Sequence, residues 1–247
     1  MELSVIFPAL NESAVIENTL ANAVSHLRAL GVPFEVIVID NASTDNTVAL
    51  IEAFAKQNPE VSVIRHPRNL GYANSNLTGF RQAVGDVVVV ADSDGQHTLA
   101  DMPLFLDKIR GGADVVYGWR KVRHDPVLRK AISAGLSVAA RLLLRWKLHD
   151  INCGFRVVTA EVARSLTKVH PVNYFGPELW VHAVNNGFRV DEVIVNHAER
   201  KGGTSIHAPW RLPRTMARAF RYLLTLRREL RDGVPLAAKS LSSRRAG

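Results

Sequence analysis

The sequence has very little of what marks a secreted or membrane-spanning protein. It contains a single cysteine, Cys153, among 247 residues, which excludes an intramolecular disulfide and is typical of a reducing compartment. Its longest apolar candidate, AISAGLSVAARLLL, is interrupted by Arg141 and falls short of the ~20 residues that a membrane-spanning helix needs. The first residues, MELSVIFPALNES, are acidic and are interrupted by Pro8, so no signal peptide is predicted.

Several common binding motifs are missing as well. The chain has no Walker loop, no G-x-G-x-x-G after its first predicted strand, no C-x-x-C and no G-x-S-x-G. These absences count against a P-loop NTPase, a dinucleotide-dependent dehydrogenase, a zinc site and an α/β-hydrolase. An EF-hand that begins at Asp92 is excluded because its twelfth position is Pro103.

Acidic residues are scarce in the later part of the chain. The formal net charge is +8, yet residues 1–100 hold 11 acidic and only 5 basic side chains. Residues 110–147 hold 9 basic and 2 acidic side chains, and residues 197–247 hold 12 and 3. This asymmetry of charge along the chain indicates two different partners, and the basic part could bind phosphates, anionic lipid or nucleic acid. The alternative is that the basic part is an ordinary solvated surface. The basic segments lack interleaved aromatic residues and a standard binding motif, so no nucleic-acid partner is expected.

Hydrophobic residues make up 47% of the chain and alternate between strand-like and helix-like segments. Strands are predicted at 3–8, 35–40, 61–66, 86–92, 113–118, 154–159 and 188–197. Helices are predicted at 13–30, 43–57, 73–84, 101–110, 127–148, 160–166, 176–186 and 211–231. Continuous apolar strands that alternate with helices indicate a parallel sheet covered on both faces. The expected fold class is therefore α/β, an open, doubly wound and mostly parallel sheet, with amphipathic helices toward the C-terminus.

Polar residues follow three of the predicted strands at the point where each strand ends. They are FPALNE after the first strand, Asp40 and Asn41 after the second, and Asp92, Ser93 and Asp94 after the fourth. Sheets of this class bind ligands beyond the carboxyl ends of their strands. If the three strands are neighbours, these side chains meet at one rim of the sheet.

The stretch VVVVADSDGQH places two carboxylates close together at the end of a buried strand. Like charges repel, and a hard cation such as Mg²⁺ or Mn²⁺ removes that repulsion by binding carboxylate oxygens and bridging to substrate phosphates. Asp92, Asp94 and the side-chain carbonyl of Gln96 are therefore predicted metal ligands. A loop cap is the alternative reading of an isolated D-x-D.

Five stretches follow one another in the order VIFPALNE, VIVIDNASTDNT, RNLGYANSNLTGF, GDVVVVADSDGQH and DINCGFRVV. Together they resemble the family-2 glycosyltransferases of the GT-A fold, and within these the dolichyl- and polyprenyl-phosphate sugar synthases. The resemblance covers residues 3–206. It implies an inverting, metal-dependent transfer of a sugar from a GDP- or UDP-sugar to a polyprenyl phosphate, with Mg²⁺ or Mn²⁺ as the cofactor.

The resemblance also implies roles for individual residues. The nucleotide-sugar-binding residues would be Pro8, Leu10, Glu12, Asp40, Asp92, Ser93 and Asp94. The catalytic residues would be Asp94, Arg120 and Arg200, with both arginines near phosphate groups of the donor or acceptor. A diphosphate leaving group gains negative charge as the glycosidic bond breaks, and a divalent metal with arginines stabilises that charge.

The nature of the acceptor decides whether a general base is needed. A phosphate monoester is ionised at neutral pH, because its second pKa is near ~6. A soluble hydroxyl acceptor, such as a glycan or small metabolite, needs a base, and Asp150 or Glu178 would then be the candidates. This alternative stays open because the chain has Ala134 and Ile206 where the subfamily often has arginine and lysine.

The expected organisation is a transferase domain over residues 1–206, divided into a nucleotide-sugar-binding half, 1–120, and an acceptor half, 121–206. A basic amphipathic helix would cover 207–231 and a disordered tail 232–247. The basic amphipathic segments 127–148 and 211–231 either lie on a membrane or pack on the protein's own core. The first reading places the protein peripherally at the cytoplasmic face of the cell membrane. A non-catalytic, nucleotide-responsive protein is a further alternative, and the intact acidic stretch argues against it.

Overall fold

The computed structural model describes residues 2–121, 127–170, 174–197 and 212–233, without the side chains at 127–134, 136 and 212–216. Within these residues the protein forms one sheet of seven strands. The strands are β1 Leu3–Ala9, β2 Phe34–Asp40, β3 Val61–Arg65, β4 Val87–Val90, β5 Val115–Trp119, β6 Arg156–Thr159 and β7 Val190–Ile194. The helices are α1 Ile16–Ala29, α2 Thr47–Gln57, α3 Tyr72–Gln82, α4 Met102–Arg110, α5 Val127–Leu144, α6 Ala160–Ser165, α7 Phe175–Asn185 and α8 Leu212–Arg231, with a short 3₁₀ turn at Leu99–Asp101. Each predicted element is present within a few residues of its expected bounds.

The strands run in the order β3-β2-β1-β4-β6-β5-β7. All neighbouring pairs are parallel except those of β6, which is antiparallel to both β4 and β5. The expected open, mostly parallel sheet is therefore confirmed. The antiparallel direction of β6 brings the beginning of that strand, at Arg156, beside the end of β4, at Val90.

The valine run of β4 shows why this stretch carries no polar residue. Val87 and Val89 pack into one apolar cluster and Val88 and Val90 into another, and each of the four is at most 2% exposed. Helices α1, α2 and α4 cover the first face, and α3 and α5 to α8 cover the second. A strand buried on both faces reads as a continuous hydrophobic run, without alternation.

The basic helix α8 packs on the rest of the protein. It contacts α5 and α7, and its residues Ala219, Leu223 and Leu226 are each 1% exposed, whereas Arg218 and Arg221 face solvent. Packing on the protein's own core thus accounts for the described apolar face of this helix. Within the described residues, no helix has both the length and the hydropathy of a membrane span. The predicted disordered tail lies, from residue 234 onward, outside the described residues.

Candidate functional site

Three neighbouring parallel strands, β2, β1 and β4, end at the same rim of the sheet. The register pairs Ala9 with Asp40 and Ile6 with Val90, so the residues that follow each strand emerge side by side. The predicted convergence of the three polar strand ends is confirmed. The rim therefore joins the loop after β1, the loop after β2 and the acidic turn, residues 92–96.

The acidic turn is fastened to the elements beneath it by Ser93, which is 4% exposed. The Ser93 hydroxyl donates to the carbonyl of Pro8 at 2.8 Å, and the Ser93 carbonyl accepts a hydrogen bond from the Thr19 hydroxyl at 3.2 Å. Gly95 has a φ of +74°, and the Gln96 N–H donates to Asp94 Oδ1 at 3.1 Å. Ser93 and Pro8, both predicted to contact the nucleotide-sugar, are thus bound to each other, and they fix the position of the turn.

Two residues to which the sequence assigned no role hold the Asp92 side chain. The Tyr72 hydroxyl donates to Asp92 Oδ1 at 2.8 Å. On its other side the carboxylate packs against Gly154, where an added Cβ would overlap all three atoms of the carboxylate. Burial raises the pKa of Tyr72 well above its ordinary value, and the Asp92 charge raises it further. The phenol is therefore a permanent donor, and it fixes the direction in which Asp92 points.

The donor set at the acidic turn fits a hard divalent cation. Asp92, Asp94 and Gln96 offer carboxylate and amide oxygens within one turn, and Asp92 and Asp94 are half-buried. Within the described residues there is no group of three or more His, Cys, Asp or Glu side chains placed to hold a metal ion. Mg²⁺ and Mn²⁺ are commonly held by one or two carboxylates together with waters and substrate phosphates. The residues present therefore suit a cation that takes its remaining ligands from a bound phosphate.

The Asp40 side chain, at the end of β2, is 2% exposed and accepts the backbone N–H of Ser43 at 3.2 Å and 3.3 Å. This local cap holds the loop after β2 in place. Ala42, within that loop, has a φ of +66°, a conformation that costs an alanine about 1 kcal/mol or more and a glycine little. A glycine would adopt this backbone conformation at a lower energetic cost than Ala42 does.

The loops after β1 and β2 are joined to each other. The Asn11 N–H donates to the Ser43 hydroxyl at 2.9 Å, and the Asn11 side chain accepts the Thr44 N–H at 2.8 Å. The Glu12 N–H donates to the Thr47 hydroxyl at 2.8 Å. Leu10 and Glu12, both predicted to line the nucleotide pocket, are half-buried at this junction. The two loops thus form one continuous edge of the rim, where the sequence predicts nucleotide binding.

Arg120, immediately after β5, is paired with Asp150. Its Nε donates to Asp150 Oδ2 at 2.7 Å and its Nη2 to Asp150 Oδ1 at 3.1 Å, and both side chains are less than 10% exposed. Burial by itself lowers the pKa of Arg120, but Asp150, Cys153 and Asp92 raise it above its ordinary value. The structure thus brings Arg120 and Asp150 into one charged cluster with Asp92. Both carboxylate oxygens of Asp150, one of the two candidate bases, thus accept hydrogen bonds from Arg120.

Glu178, the other candidate base, belongs to α7. It is 5% exposed, and its Oε1 accepts the His170 N–H at 2.6 Å. Burial raises the pKa of Glu178 to about 7, although the hydrogen bond from His170 lowers it. The charged and polar groups around it, Tyr222 and Glu229, belong to α8 rather than to the acidic turn. Arg200, the remaining predicted catalytic residue, lies outside the described residues.

His97 is a half-buried neighbour of the acidic turn that the sequence did not single out for a role. Its ring packs at 5.8 Å from Phe155 and 5.4 Å from His197. Burial lowers the pKa of His97 to about 4, so the ring is neutral near pH 7. It therefore lies beside the cluster without adding charge.

Known families and relatives match most of the chain. A model of the family described as glycosyl transferase family 2 matches residues 4–167. The undecaprenyl-phosphate 4-deoxy-4-formamido-L-arabinose transferase of Pectobacterium atrosepticum is 29% identical over 204 residues, 82% of this chain and 62% of that protein. The protein of the same name from Pseudomonas aeruginosa strain UCBPP-PA14 is 30% identical over 214 residues, which cover 85% of this chain and 61% of that protein. The chain thus spans just over three fifths of the length of these relatives.

Solved structures of one enzyme in several complexes are similar in shape to this chain. Glucosyl-3-phosphoglycerate synthase from Mycobacterium tuberculosis with Mn²⁺, UDP and phosphoglyceric acid gives a TM-score of 0.71 at 21% identity, covering 91% of this chain and 78% of that one. The same enzyme with Mn²⁺, UDP-glucose and phosphoglyceric acid gives 0.69 at 22% identity, with 91% and 79% covered. The likeness confirms the expected GT-A fold.

Proposed function

Because the chain belongs to glycosyl transferase family 2, we propose that it transfers a sugar from a nucleotide-sugar to a polyprenyl phosphate, with the help of a divalent cation. The acidic turn carries this proposal. Asp92 and Asp94 follow a fully buried strand, and Ser93 fastens the turn to β1 and α1. A rigid pair of carboxylates at the rim suits a metal-bound diphosphate, whose oxygens complete the coordination that the protein begins.

The proposed donor is a UDP- or GDP-sugar. A solved structure of the same fold contains UDP-glucose and Mn²⁺. In this chain the strand ends beside the acidic turn carry Asp40 and the 10–12 loop, which are joined into one wall. A nucleoside that extends from a diphosphate at the acidic turn would lie along this wall, with Glu12 and Asp40 as its polar partners.

In the proposed reaction, negative charge develops on the diphosphate as the glycosidic bond breaks. A bound Mg²⁺ or Mn²⁺ would supply stabilisation of this charge. Asp92 and Asp94 would hold that cation at the rim, and the guanidinium of Arg120, paired with Asp150, lies in the same charged cluster. The acceptor oxygen attacks from the opposite side of the sugar carbon, so the configuration at that carbon is inverted.

The state of the two candidate bases favours a phosphate acceptor. Asp150 is held by Arg120, and Glu178 contacts His170 beneath α8. An ionised phosphate monoester attacks without a general base. The curated relatives, named as transferases to undecaprenyl phosphate, point to the same class of acceptor.

Peripheral contact with the cytoplasmic membrane face is proposed for the α5–α8 side. Three large apolar side chains are exposed there, Val138 at 54%, Leu142 at 76% and Phe220 at 50%. They share their helices with the exposed cations Arg141, Arg218 and Arg221. Exposed apolar groups next to basic ones suit the surface of an anionic bilayer.

The test of the transfer is an assay of the purified protein with Mn²⁺, polyprenyl phosphate and a panel of UDP-, GDP- and dTDP-sugars. A thermal-shift screen of the same panel identifies the donor, since a ligand that binds the folded state raises its stability. Asp94→Asn is expected to abolish transfer. The matched control is Asp107→Asn, whose exposed carboxylate pairs only with Arg110 among the described residues. Absence of transfer from every donor to the lipid phosphate would overturn the proposal.

A second assay separates the lipid acceptor from a soluble one. The wild-type protein is expected to bind vesicles that contain anionic lipid. Replacement of Arg218 and Arg221 by glutamate is expected to weaken this binding, by about 1 kcal/mol of binding free energy per charge. Rapid lipid-free transfer to a hydroxyl acceptor, without vesicle binding, would instead support the soluble alternative. In that case Asp150→Asn and Glu178→Gln would identify the base by loss of turnover with intact donor binding.

A further inference from the structure

The stretch CGFR, residues 153–156, has no part in the proposed transfer, although it leads into β6, which begins at Arg156, next to the acidic turn. Arg156 pairs with Val90 across the antiparallel ladder, two residues before Asp92. Gly154 packs against the Asp92 carboxylate. The stretch therefore lies directly beneath the proposed metal site.

Arg156 is a buried cation with an unusual set of neighbours. It is 3% exposed, and its guanidinium carbon lies 5.7 Å from the ring centre of Tyr117 and 5.9 Å from that of Phe175. Its Nε and Nη1 have no hydrogen-bond partner among the described residues. Two aromatic faces attract the cation, but they do not cancel its charge. A guanidinium held in this way keeps its full charge in a region of low dielectric constant.

The charge of Arg156 acts on the groups that hold Asp92. Burial by itself lowers the pKa of Arg156, whereas Tyr72, Tyr117, Cys153 and Asp92 raise it above its ordinary value. Tyr72 is the residue whose hydroxyl donates to Asp92 Oδ1. Arg156, Tyr72 and Asp92 thus form one electrostatic group, in which the cation is buried and the carboxylate lies at the rim.

We infer that Arg156 is a positioning residue for the donor site, a fixed counter-charge to Asp92 that makes cation binding depend on the donor diphosphate. The inference rests on the proposed function. The charged side chains that meet here have a formal net charge of −1, from Asp92, Asp94, Asp150, Arg120 and Arg156. Such a site attracts a bare divalent cation only weakly, and the negative charges of a diphosphate complete the attraction.

The sign of the effect separates this role from a merely structural one. A fixed positive charge repels a bare Mn²⁺ and attracts a diphosphate, with energies that fall slowly with distance at low dielectric constant. Its removal must therefore change the two affinities in opposite directions. A structural defect at Arg156 would weaken both affinities together.

The test compares Arg156→Met and Arg156→Lys with the wild-type protein. Bare Mn²⁺ binding is measured by electron paramagnetic resonance, and UDP binding without metal by calorimetry. Arg156→Met is expected to bind bare Mn²⁺ about tenfold more tightly and UDP about tenfold more weakly, while Arg156→Lys stays within about threefold of wild type for both. Equal affinities in Arg156→Met and wild type, or a loss of both affinities, would overturn the inference.

Two further measurements keep the result interpretable. Tyr117→Phe is the matched control, because it removes the hydrogen bond to the Gly176 carbonyl, at 2.9 Å, from the same aromatic surround without changing a charge. It is expected to leave both affinities unchanged. If Arg156→Met does not fold, the wild-type protein still provides a test. Saturating UDP must raise the affinity of the wild-type protein for Mn²⁺ at least about tenfold. An Mn²⁺ affinity that UDP leaves unchanged would refute the inference. Failure of the wild type to bind either Mn²⁺ or UDP would count against the proposed function itself.

Discussion

A methyl group added at Gly154 should disable the donor site while leaving the fold in place. The Cβ of Gly154→Ala would lie 2.5 Å from Asp92 Oδ1, and closer still to the other two carboxylate atoms. Even the 2.5 Å distance is about 0.9 Å shorter than ordinary van der Waals contact, which begins at 3.4 Å. Gly154 does not need a positive φ, so alanine fits its backbone and the effect is steric alone. The carboxylate must therefore move by about 1 Å or more, away from Tyr72 and from its place at the rim.

The expected loss of transfer follows from that displacement. Misplacing a positioning group by about 1 Å costs about 10²-fold in rate, or about 2.7 kcal/mol of transition-state stabilisation. The stability cost of overpacking is about 1–3 kcal/mol, and the lower end applies because Asp92 is only half-buried and can turn aside.

The assay combines the kcat/KM of sugar transfer, Mn²⁺-dependent UDP binding and urea unfolding of the same variant. The control is Gly135→Ala on α5, where an added Cβ meets nothing within 4 Å, and where alanine favours the helix by up to about 1 kcal/mol. A Gly154→Ala protein that transfers sugar at the wild-type rate would refute the assignment of Asp92 to the donor site.

Three other substitutions test the charged and polar groups around the rim. Burial raises the pKa of Glu178 in the folded state from 4.5 to about 7. The contribution of this side chain to stability is therefore complete below pH 4.5 and is lost as the pH rises through 7. Glu178→Gln should remove this loss of up to about 3 kcal/mol, which urea unfolding at about pH 5 and about pH 8 would measure. Asp150→Asn should cost about 3–5 kcal/mol in the same assay at neutral pH, because it leaves Arg120 buried without its partner, and a cost below about 1 kcal/mol would contradict a buried pair. Ser93→Ala should cost about 1–3 kcal/mol and weaken UDP binding, because the buried Pro8 carbonyl loses its donor and the acidic turn its anchor; unchanged UDP binding would show that the turn is held by other contacts.

The rim of the sheet could be predicted from sequence because its signals are local. Apolar strands that alternate with helices determine a parallel sheet, and in such a sheet polar residues after successive strands share one edge. Asp40, Asp92 and Asp94 were therefore predicted to lie together, and the strand order confirmed the convergence of their strand ends. The part played by each residue in binding a donor stays a prediction.

The supports of the rim could not be predicted, because they depend on contacts between distant segments. Tyr72 and Gly154 lie 20 and 62 positions from Asp92 in the sequence, and neither contact leaves a periodic signal. The direction of β6 was equally hidden, since a strand of only four residues, RVVT, has the same sequence pattern whether it pairs parallel or antiparallel. That direction is what brings Arg156 beneath the acidic turn.

The burial of charge at the rim is difficult to explain by stability alone. Apolar side chains of similar volume often stabilise a protein as well as a buried ion pair does, because desolvation offsets much of the Coulomb attraction. Arg120 and Asp150 at least compensate each other, but Arg156 is buried against aromatic rings with two nitrogens that lack described partners. Such an arrangement lowers stability unless its charge acts on something else, and the half-buried carboxylate of Asp92 belongs to the same electrostatic group. The energetic cost of burying Arg156 is therefore itself a reason to look for its effect in ligand binding rather than in folding.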